Sequence, residues 1–301
     1  MDRHEHEHHA HGDPGRAFLA GVLLNVGFVI VEVVYGLRAH SLALLSDAGH
    51  NLGDVLGLTL ALVATVLARS KPSRHRTYGL RKGTVLAALA NATILVAATG
   101  AIAWQSVLRL AHPVAPEGLT MVGVAAAGVV VNGGSALLFM RNDEQDLNVR
   151  SAFLHLAGDA AIALGVVVAG VVIAMTGWVL IDPIASLLVS LLVLASSWRL
   201  LRTGLRLVVD AVPESVDMDA VRAVLAAASG VKEVHDLHVW ALSTTEVALT
   251  AHLVMVERPA DNDLLHDLSR RLHEAFGIAH ATIQIETDGA PECRLAPDDH
   301  V

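Results

Sequence analysis

The same five-residue pattern, His-x-x-Gly-Asp, occurs twice in the sequence, each time within a long apolar stretch. It runs from His50 to Asp54 in the first and from His155 to Asp159 in the second. A spacing of four residues places imidazole and carboxylate on one helical face, one turn apart. Two such helices facing each other would direct two imidazoles and two carboxylates to one point. These ligands suit a tetrahedral Zn²⁺ site with bonds of about 2.0–2.2 Å.

One such pattern alone also fits a histidine that makes an interhelical hydrogen bond. Its repetition in two separate stretches favours the metal interpretation. Ligand chemistry then narrows the ion. The single cysteine, Cys293, lies outside these stretches, which argues against soft Cu(I), and Mg²⁺ or Ca²⁺ would prefer oxygen ligands alone. Zn²⁺ is the predicted ion, with Cd²⁺, Co²⁺ and Ni²⁺ as alternatives.

The elements that carry these residues are predicted to be membrane helices. Hydrophobic residues make up 53% of the 301-residue chain and charged residues only 17%, against about 25% in soluble domains. A span takes about 20 mostly apolar residues. Six stretches qualify: 16–37, 41–68, 83–110, 118–140, 151–176 and 178–200. We therefore predict six transmembrane helices in a lipid bilayer.

Basic residues indicate the orientation of these spans. The loop after the second span is rich in them: Arg69, Lys71, Arg74, Arg76, Arg81 and Lys82. Loops on the other side offer only Arg38 and Arg109 at their edges. Both termini are therefore predicted to be cytoplasmic. The first fifteen residues have no apolar core of a cleavable signal peptide, and the sequence suggests a plasma (inner) membrane.

Charge also divides the chain into a membrane part and a soluble part. Acidic residues outnumber basic ones by 17 to 6 over 208–301, but number 13 against 15 over 1–207. The net charge of −9 argues against a nucleic-acid partner. The predicted organisation is a His-rich tail, a six-helix membrane domain, a soluble domain and a C-terminal tail, at 1–15, 16–207, 208–288 and 289–301.

Hydrophobic periodicity changes at the start of the soluble domain. Asp217 is a suitable N-cap for an Ala-rich amphipathic helix, and the following segments alternate as strands or repeat as a helix. The predicted helix-strand-strand-helix-strand order occupies 217–229, 231–242, 246–256, 264–276 and 280–287. An αββαβ order with short turns predicts a small α+β domain.

The chain resembles the cation diffusion facilitator family of zinc transporters. The resemblance rests on the six spans, on the paired pattern in spans two and five, and on the run Val-His-Asp-Leu-His-Val-Trp at 234–240. Ser-Asp-Ala-Gly-His-Asn-Leu-Gly-Asp at 46–54 and Ala-Thr-Ile-Gln-Ile-Glu at 281–286 are similarly specific. With His50 and not Asp in span two, the chain is similar to the zinc-transporter and CzcD-like branch. The resemblance covers about 16–288.

The resemblance implies a transport site of His50, Asp54, His155 and Asp159. It further implies exchange of Zn²⁺ for H⁺, export from the cytoplasm, a homodimer, and a ferredoxin-like, metallochaperone-like soluble domain. A passive zinc pathway and a membrane-bound zinc sensor remain alternatives, because ligands do not reveal the direction of flux. No enzymatic activity is predicted, since the His-Glu-x-x-His motif that an intramembrane metalloprotease needs does not occur within the six apolar stretches.

A second metal site is predicted in the soluble domain. His235 and His252 lie on neighbouring strands and Glu286 on the last, so they can meet across the sheet; the family pattern supports these three as a regulatory site. His238 is expected on the face opposite His235. Weaker candidates, for which a surface role is an equal alternative, are His75, His266 and His280. The His-rich tail at 4–11 could buffer Zn²⁺.

Some family members bind another zinc in the loop between spans two and three, with one Asp and two His. Here that loop keeps only His75 among basic residues, so this site is expected to be absent or weak. Within the spans, Glu32 and Asp47 could line a hydrated path or make interhelical hydrogen bonds. Asp182 is interpreted as an interfacial cap, and the glycines of span two as close-packing positions.

Overall fold

The computed structural model describes residues 14–140, 147–257 and 262–287; the histidines at 4–11 and the C-terminal tail at 289–301 therefore lie outside the described residues. Six long helices occupy Pro14–Arg38 (α1), Leu42–Ala68 (α2), Gly83–Ala111 (α3), Gly118–Met140 (α4), Leu147–Thr176 (α5) and Ile181–Val208 (α6). In the described part of the chain, α2 to α6 are long and apolar enough to cross a membrane. The remaining predicted span corresponds to α1, which has 25 residues.

The soluble part follows the predicted αββαβ order, which confirms the fold class. Its elements are Met218–Ala226 (α7), Val231–Ala241 (β1), Val247–Met255 (β2), Asp263–Phe276 (α8) and Ile278–Thr287 (β3). The strands form one sheet in the order β1-β2-β3, with β1 and β2 antiparallel and β2 and β3 parallel. Asp217 caps α7 as predicted, because its carboxylate accepts from the backbone N–H groups of Asp219 and Ala220.

The chain divides into two compact units. The first comprises 1–58 and 93–198, and the second comprises 59–92 and 199–301. In the first unit, α4 and α5 approach each other at two glycines. A Cβ on Gly118 would lie 2.7 Å from the Gly170 carbonyl oxygen, and one on Gly170 would lie 2.9 Å from that of Gly118. Only residues without a side chain allow this backbone contact.

Asp182 begins α6 but caps a different helix. Its buried carboxylate accepts hydrogen bonds from the Ser41 hydroxyl at 2.6 Å and from the backbone N–H groups of Leu42 and Ala43 at 2.8 and 3.1 Å. These donors belong to the first turn of α2, where a negative charge is favourable. The sequence interpretation of Asp182 as an interfacial cap of span six is therefore wrong, because its cap joins α6 to α2.

In the second unit, one face of the three-stranded sheet packs against the two short helices. The buried residues of this core include Val221, Leu225, Leu249, Leu253, Leu268 and Leu272. The histidines of the predicted regulatory site are not members of this cluster. The sheet therefore separates an apolar core on one face from the imidazoles on the other.

A β-bulge interrupts β1 between His235 and His238, where Asp236 has a φ of +49°. The extra residue shifts the alternation of side chains. Val234 and Leu237 both join the apolar core, although strict alternation would place residues three apart on opposite faces. His235 and His238 consequently share the other face, so the expectation of opposite faces is wrong.

The loop between α2 and α3 contacts the soluble domain within the second unit. Lys82 Nζ lies 2.5 Å from Asp210 Oδ1, and Arg81 lies 2.6 Å from the carboxylate of Glu246. The backbone N–H of Thr244 donates to Thr84 Oγ1 at 3.0 Å. The turn between β1 and β2 is thus tied to the first turn of α3.

We expect Asp182→Ala to lower the stability of the protein by roughly 2–5 kcal/mol, because it leaves buried donors of α2 without an acceptor. In detergent, the unfolding midpoint measured by heating should fall by on the order of 5–10 °C. Asp182→Asn keeps one acceptor oxygen and should lose less. Glu117→Gln, at an exposed helix start, is the matched control and should change little. Native stability of Asp182→Ala would contradict the capping role.

Candidate metal centres

The four side chains predicted in the membrane helices lie together in the first unit. His50 Nε2 is 2.9 Å from Asp159 Oδ1, and His155 Nε2 is 3.3 Å from Asp54 Oδ2. The two remaining His–Asp distances, each between residues of one helix, are 3.9 and 3.7 Å. Imidazoles and carboxylates therefore alternate around a ring formed by α2 and α5.

The size of this ring suits a tetrahedral ion. Bonds of about 2.0–2.2 Å imply ligand–ligand separations of about 3.3–3.6 Å, and the four His–Asp distances of 2.9–3.9 Å bracket that range. Ligand atoms of His50, Asp54 and Asp159 all lie within 4.8 Å of one another. These three already form a compact group.

His155 occupies the open side of the ring. Its side chain is 51% exposed, against 7% for Asp159, and its ring centroid lies 6.2 Å from that of His50. It reaches both carboxylates but does not belong to the compact group of three. Full tetrahedral closure would require the two imidazoles to approach each other, so His155 is the side chain placed to close such a site around an ion.

Glycines set the distance between the ligand helix α2 and α3. A Cβ on Gly53, directly before Asp54, would lie 2.7 Å from Cδ1 of Leu95. A Cβ on Gly49 would lie 3.4 Å from Cδ1 of Ile102, an ordinary contact. The side chain of Leu95 thus fills the space that Gly53 leaves, which agrees with the predicted close-packing role.

The soluble domain brings together the three ligands predicted there. His235 lies opposite His252 in the antiparallel ladder, and their ring centroids are 5.3 Å apart. Glu286 reaches both, with Oε2 at 3.4 Å from His235 Nε2 and Oε1 at 3.1 Å from His252 Nδ1. The resulting cluster offers two nitrogen ligands and one carboxylate.

His235 shows the signature of a ligand position. It is only 3% exposed, and neither ring nitrogen has a hydrogen-bond partner among the described residues. Buried polar atoms are normally hydrogen-bonded, so a buried imidazole that lacks a hydrogen bond and lies 3.4 Å from a carboxylate is suited to bind a cation.

Asp236 is a further acidic residue that the sequence reasoning did not select. Its carboxylate lies 2.8 Å from His238 Nε2 and 3.4 Å from His252 Nε2, and so links the two. The bulge conformation aims it there. Asp is among the few residues other than Gly that adopt a positive φ, but nothing in the run 234–240 locates the bulge.

The weaker candidates stand apart from both clusters. His75, His266 and His280 are exposed, and the ring of His280 packs edge-on against Tyr78 at 5.5 Å. Within the described ranges, the two groups of ligand atoms compact enough for a metal include none of these three.

A helical membrane domain with a His–Asp ring between two helices, followed by a soluble α+β domain with its own His–Glu cluster, defines a class of multi-pass metal transport proteins. Residues 18–209 match the cation efflux transmembrane domain, and residues 213–288 match the cytoplasmic domain of cation efflux proteins. The chain belongs to the cation efflux family.

Full-length relatives agree with this assignment. The zinc transporter ZitB of Escherichia coli is 39% identical, over 97% of this chain and 96% of its own. The metal cation efflux system protein CzcD of Cupriavidus metallidurans is 35% identical, over 92% and 89%. A cadmium, cobalt and zinc/H(+)-K(+) antiporter of Bacillus velezensis is 32% identical, over 94% and 92%.

One solved structure is similar to part of the chain. It is the metal-bound C-terminal domain of the CzcD transporter from Cupriavidus metallidurans, which is 38% identical and covers 24% of this chain and 99% of its own, with a TM-score of 0.22. Family and full-length relatives together define a metal cation efflux protein.

We expect Gly53→Ala to weaken zinc binding at the membrane site by roughly tenfold, the lower range for disturbed support of a ligand. The new methyl group would press on Leu95 and shift the helix that carries His50 and Asp54. Isothermal titration of the detergent-solubilised protein measures the affinity. The double variant Gly53→Ala/Leu95→Ala should recover it, and Gly49→Ala is the control. No recovery in the double variant would show that packing against Leu95 is not the cause.

We expect His252→Ala to reduce the zinc bound at neutral pH by one ion per chain, because two ligands remain of the three in the soluble cluster. Equilibrium dialysis with metal analysis measures the content. Binding should weaken as the pH falls, since protons compete with the metal for imidazole nitrogen. His266→Ala removes an exposed histidine and serves as control. Unchanged zinc content in His252→Ala would refute the soluble site.

Proposed function

We propose that this protein exports Zn²⁺ from the cytoplasm across the cell membrane in exchange for protons, by alternating access to one site. The ligands are His50, Asp54, His155 and Asp159. The observation that carries the proposal is the alternating ring of imidazoles and carboxylates, with His–Asp distances of 2.9–3.9 Å. Cd²⁺ and Co²⁺ are further candidate substrates, in line with the name of the Bacillus relative.

Charge explains why such a ring can both hold and release the ion. Two carboxylates neutralise the two charges of Zn²⁺, which makes the loaded site tolerable among apolar helices. Zinc requires imidazoles without a proton on the ligating nitrogen, so binding and protonation exclude each other.

The exchange cycle follows from this competition. The site open to the cytoplasm loses protons as it takes Zn²⁺. On the other side of the membrane, protons displace the ion, and the protonated site returns. His50 and His155 act as ligands and proton carriers, while Asp54 and Asp159 supply the negative charge. A relative named as an antiporter of zinc and H(+)-K(+) supports exchange as the mode of transport.

The soluble domain is proposed to regulate this cycle from the cytoplasm. Residues 208–301 contain 17 acidic and 6 basic residues, and this net negative charge would attract cations. His235, His252 and Glu286 would bind Zn²⁺ as a regulatory ligand. The domain would also join two copies of the chain into a homodimer, with both termini cytoplasmic as the basic loops indicate.

Zinc flux into proteoliposomes under an imposed pH gradient tests the proposal. We expect the native protein to accumulate Zn²⁺ against its gradient when protons move the other way. Asp159→Ala removes one of two negative charges and should reduce uptake by at least about 100-fold, as loss of a charged ligand costs several kcal/mol. Asp219→Ala, an exposed position on α7, is the matched control.

The alternatives give different results in the same assay. Zinc flux that ignores the pH gradient would indicate a passive pathway. Tight zinc binding with no flux would indicate a sensor. Native uptake by Asp159→Ala would exclude the four-residue ring as the transport site.

A further inference from the structure

Two carboxyl side chains that are not ligands of the ring lie deep in the first unit. Glu32 on α1 is 0% exposed and Asp47 on α2 is 1% exposed. Asp47 lies one turn before Asn51 and three residues before His50, nearer the start of α2. Glu32 lies near Asp47, because its carboxylate is hydrogen-bonded to Asn51, which is one turn along α2 from Asp47.

Only one of the four carboxylate oxygens of Glu32 and Asp47 accepts a hydrogen bond among the described residues. Asn51 Nδ2 donates to Glu32 Oε2 at 2.9 Å, which holds that side chain in place. The other oxygens, Glu32 Oε1 and both of Asp47, have no hydrogen-bond partner among the described residues. Three buried carboxylate oxygens of these two neighbouring acids therefore lack a donor among the described residues.

Such a pair requires a cation. Two ionised carboxylates buried near each other, away from water, repel each other and lose their hydration. Charged groups that act on Asp47 besides Glu32 are His50 and Asp159, both members of the metal ring. The segments 83–108 of α3 and 118–140 of α4 contain no charged residue, so they supply no compensating charge.

A single proton is the occupant that fits this geometry. One shared proton turns the repulsion into a hydrogen bond between the two acids. A divalent ion fits less well, because the Asn51 amide already occupies one oxygen of Glu32 and the pair offers no imidazole. The pair is thus distinct in chemistry from the ring of His and Asp.

We propose that Glu32 and Asp47 form a second ion site, which holds one proton while the metal ring is empty and releases it when the ring is loaded. The site deepens the proposed zinc–proton exchange and rests on it. Zn²⁺ in the ring brings two positive charges near Asp47 and favours loss of the shared proton. After the metal leaves, the pair takes up a proton again, so its proton moves opposite to zinc in each cycle.

The test separates coupled transport from metal binding. Glu32→Gln and Asp47→Asn keep the shape of each side chain and all four ligands of the ring. In proteoliposomes, uptake driven by a pH gradient should fall by at least about tenfold, since the variants lack a proton carrier. Exchange of labelled for unlabelled Zn²⁺ without a gradient should stay within about threefold of native. The zinc affinity should fall by less than about tenfold, because a pair that cannot release its proton no longer favours the loaded ring. Asp219→Ala is again the control.

Several results would overturn the proposal. Native driven uptake in both variants would show that the pair carries no coupled proton. Equal loss of driven uptake, zinc exchange and zinc affinity would show that the pair only maintains the fold. If replacing K⁺ by choline stops uptake by the native protein while a pH gradient has no effect, the occupant is a monovalent metal ion.

Infrared spectroscopy tests for the shared proton directly, whether or not the native protein transports zinc. The infrared difference spectrum between the zinc-free and the zinc-loaded native protein should contain the carbonyl band of a protonated carboxylic acid. The band should be absent from Glu32→Gln/Asp47→Asn. Absence of the band from the native protein would overturn the shared proton, whereas its presence without flux would leave the pair intact and refute zinc export.

Discussion

Negative charge buried among apolar helices is the constraint that orders the membrane part of this protein. A carboxylate removed from water costs several kcal/mol unless donors or a cation replace its hydration. Asp182 receives three fixed hydrogen bonds from the start of α2, so its charge is compensated permanently. Asp159 lies 2.9 Å from the imidazole of His50, and the pair of Glu32 and Asp47 has three oxygens without a donor among the described residues. The hydrogen bonds of Asp182 stabilise the fold, while the carboxylates of Asp159 and of the Glu32–Asp47 pair need an exchangeable cation to balance their charge.

All of these arrangements converge on α2. Its first turn is held by Asp182, and Asp47, His50 and Asp54 follow on successive turns. Gly53 admits Leu95 on another side of the same helix. A helix fixed at one end and packed through glycine can move as a rigid element against its neighbours, because packed elements shift between discrete arrangements. Displacement of α2 would therefore change the metal ring and the acid pair together, which provides a physical route for coupling the two.

Local patterns and tertiary contacts explain what the sequence could and could not predict. The six apolar stretches and the αββαβ order follow from periodicity, and the spacing of His50 and Asp54 follows from the helical repeat. Asp182 caps the start of α2 from a position 140 residues further along the chain, so no local sequence pattern reveals this contact. The bulge at Asp236 likewise depends on the pairing of β1 with β2, and it moved His238 to the face that spacing alone excluded. The partners within the two predicted metal clusters could be selected from the sequence, but those of Asp182 and Asp236 could not.

The second unit shows how a metal bound in the soluble domain would act beyond its ligands. His235 and His252 belong to β1 and β2 and pair across the ladder, so an ion between them would fix these strands against each other. The turn that connects the same strands donates from Thr244 to Thr84 and pairs Glu246 with Arg81 at the start of α3. Strands are stiff along their length compared with loops. A cation at the imidazoles would therefore restrain the turn, and through it the first residues of a membrane helix, without contacting that helix itself.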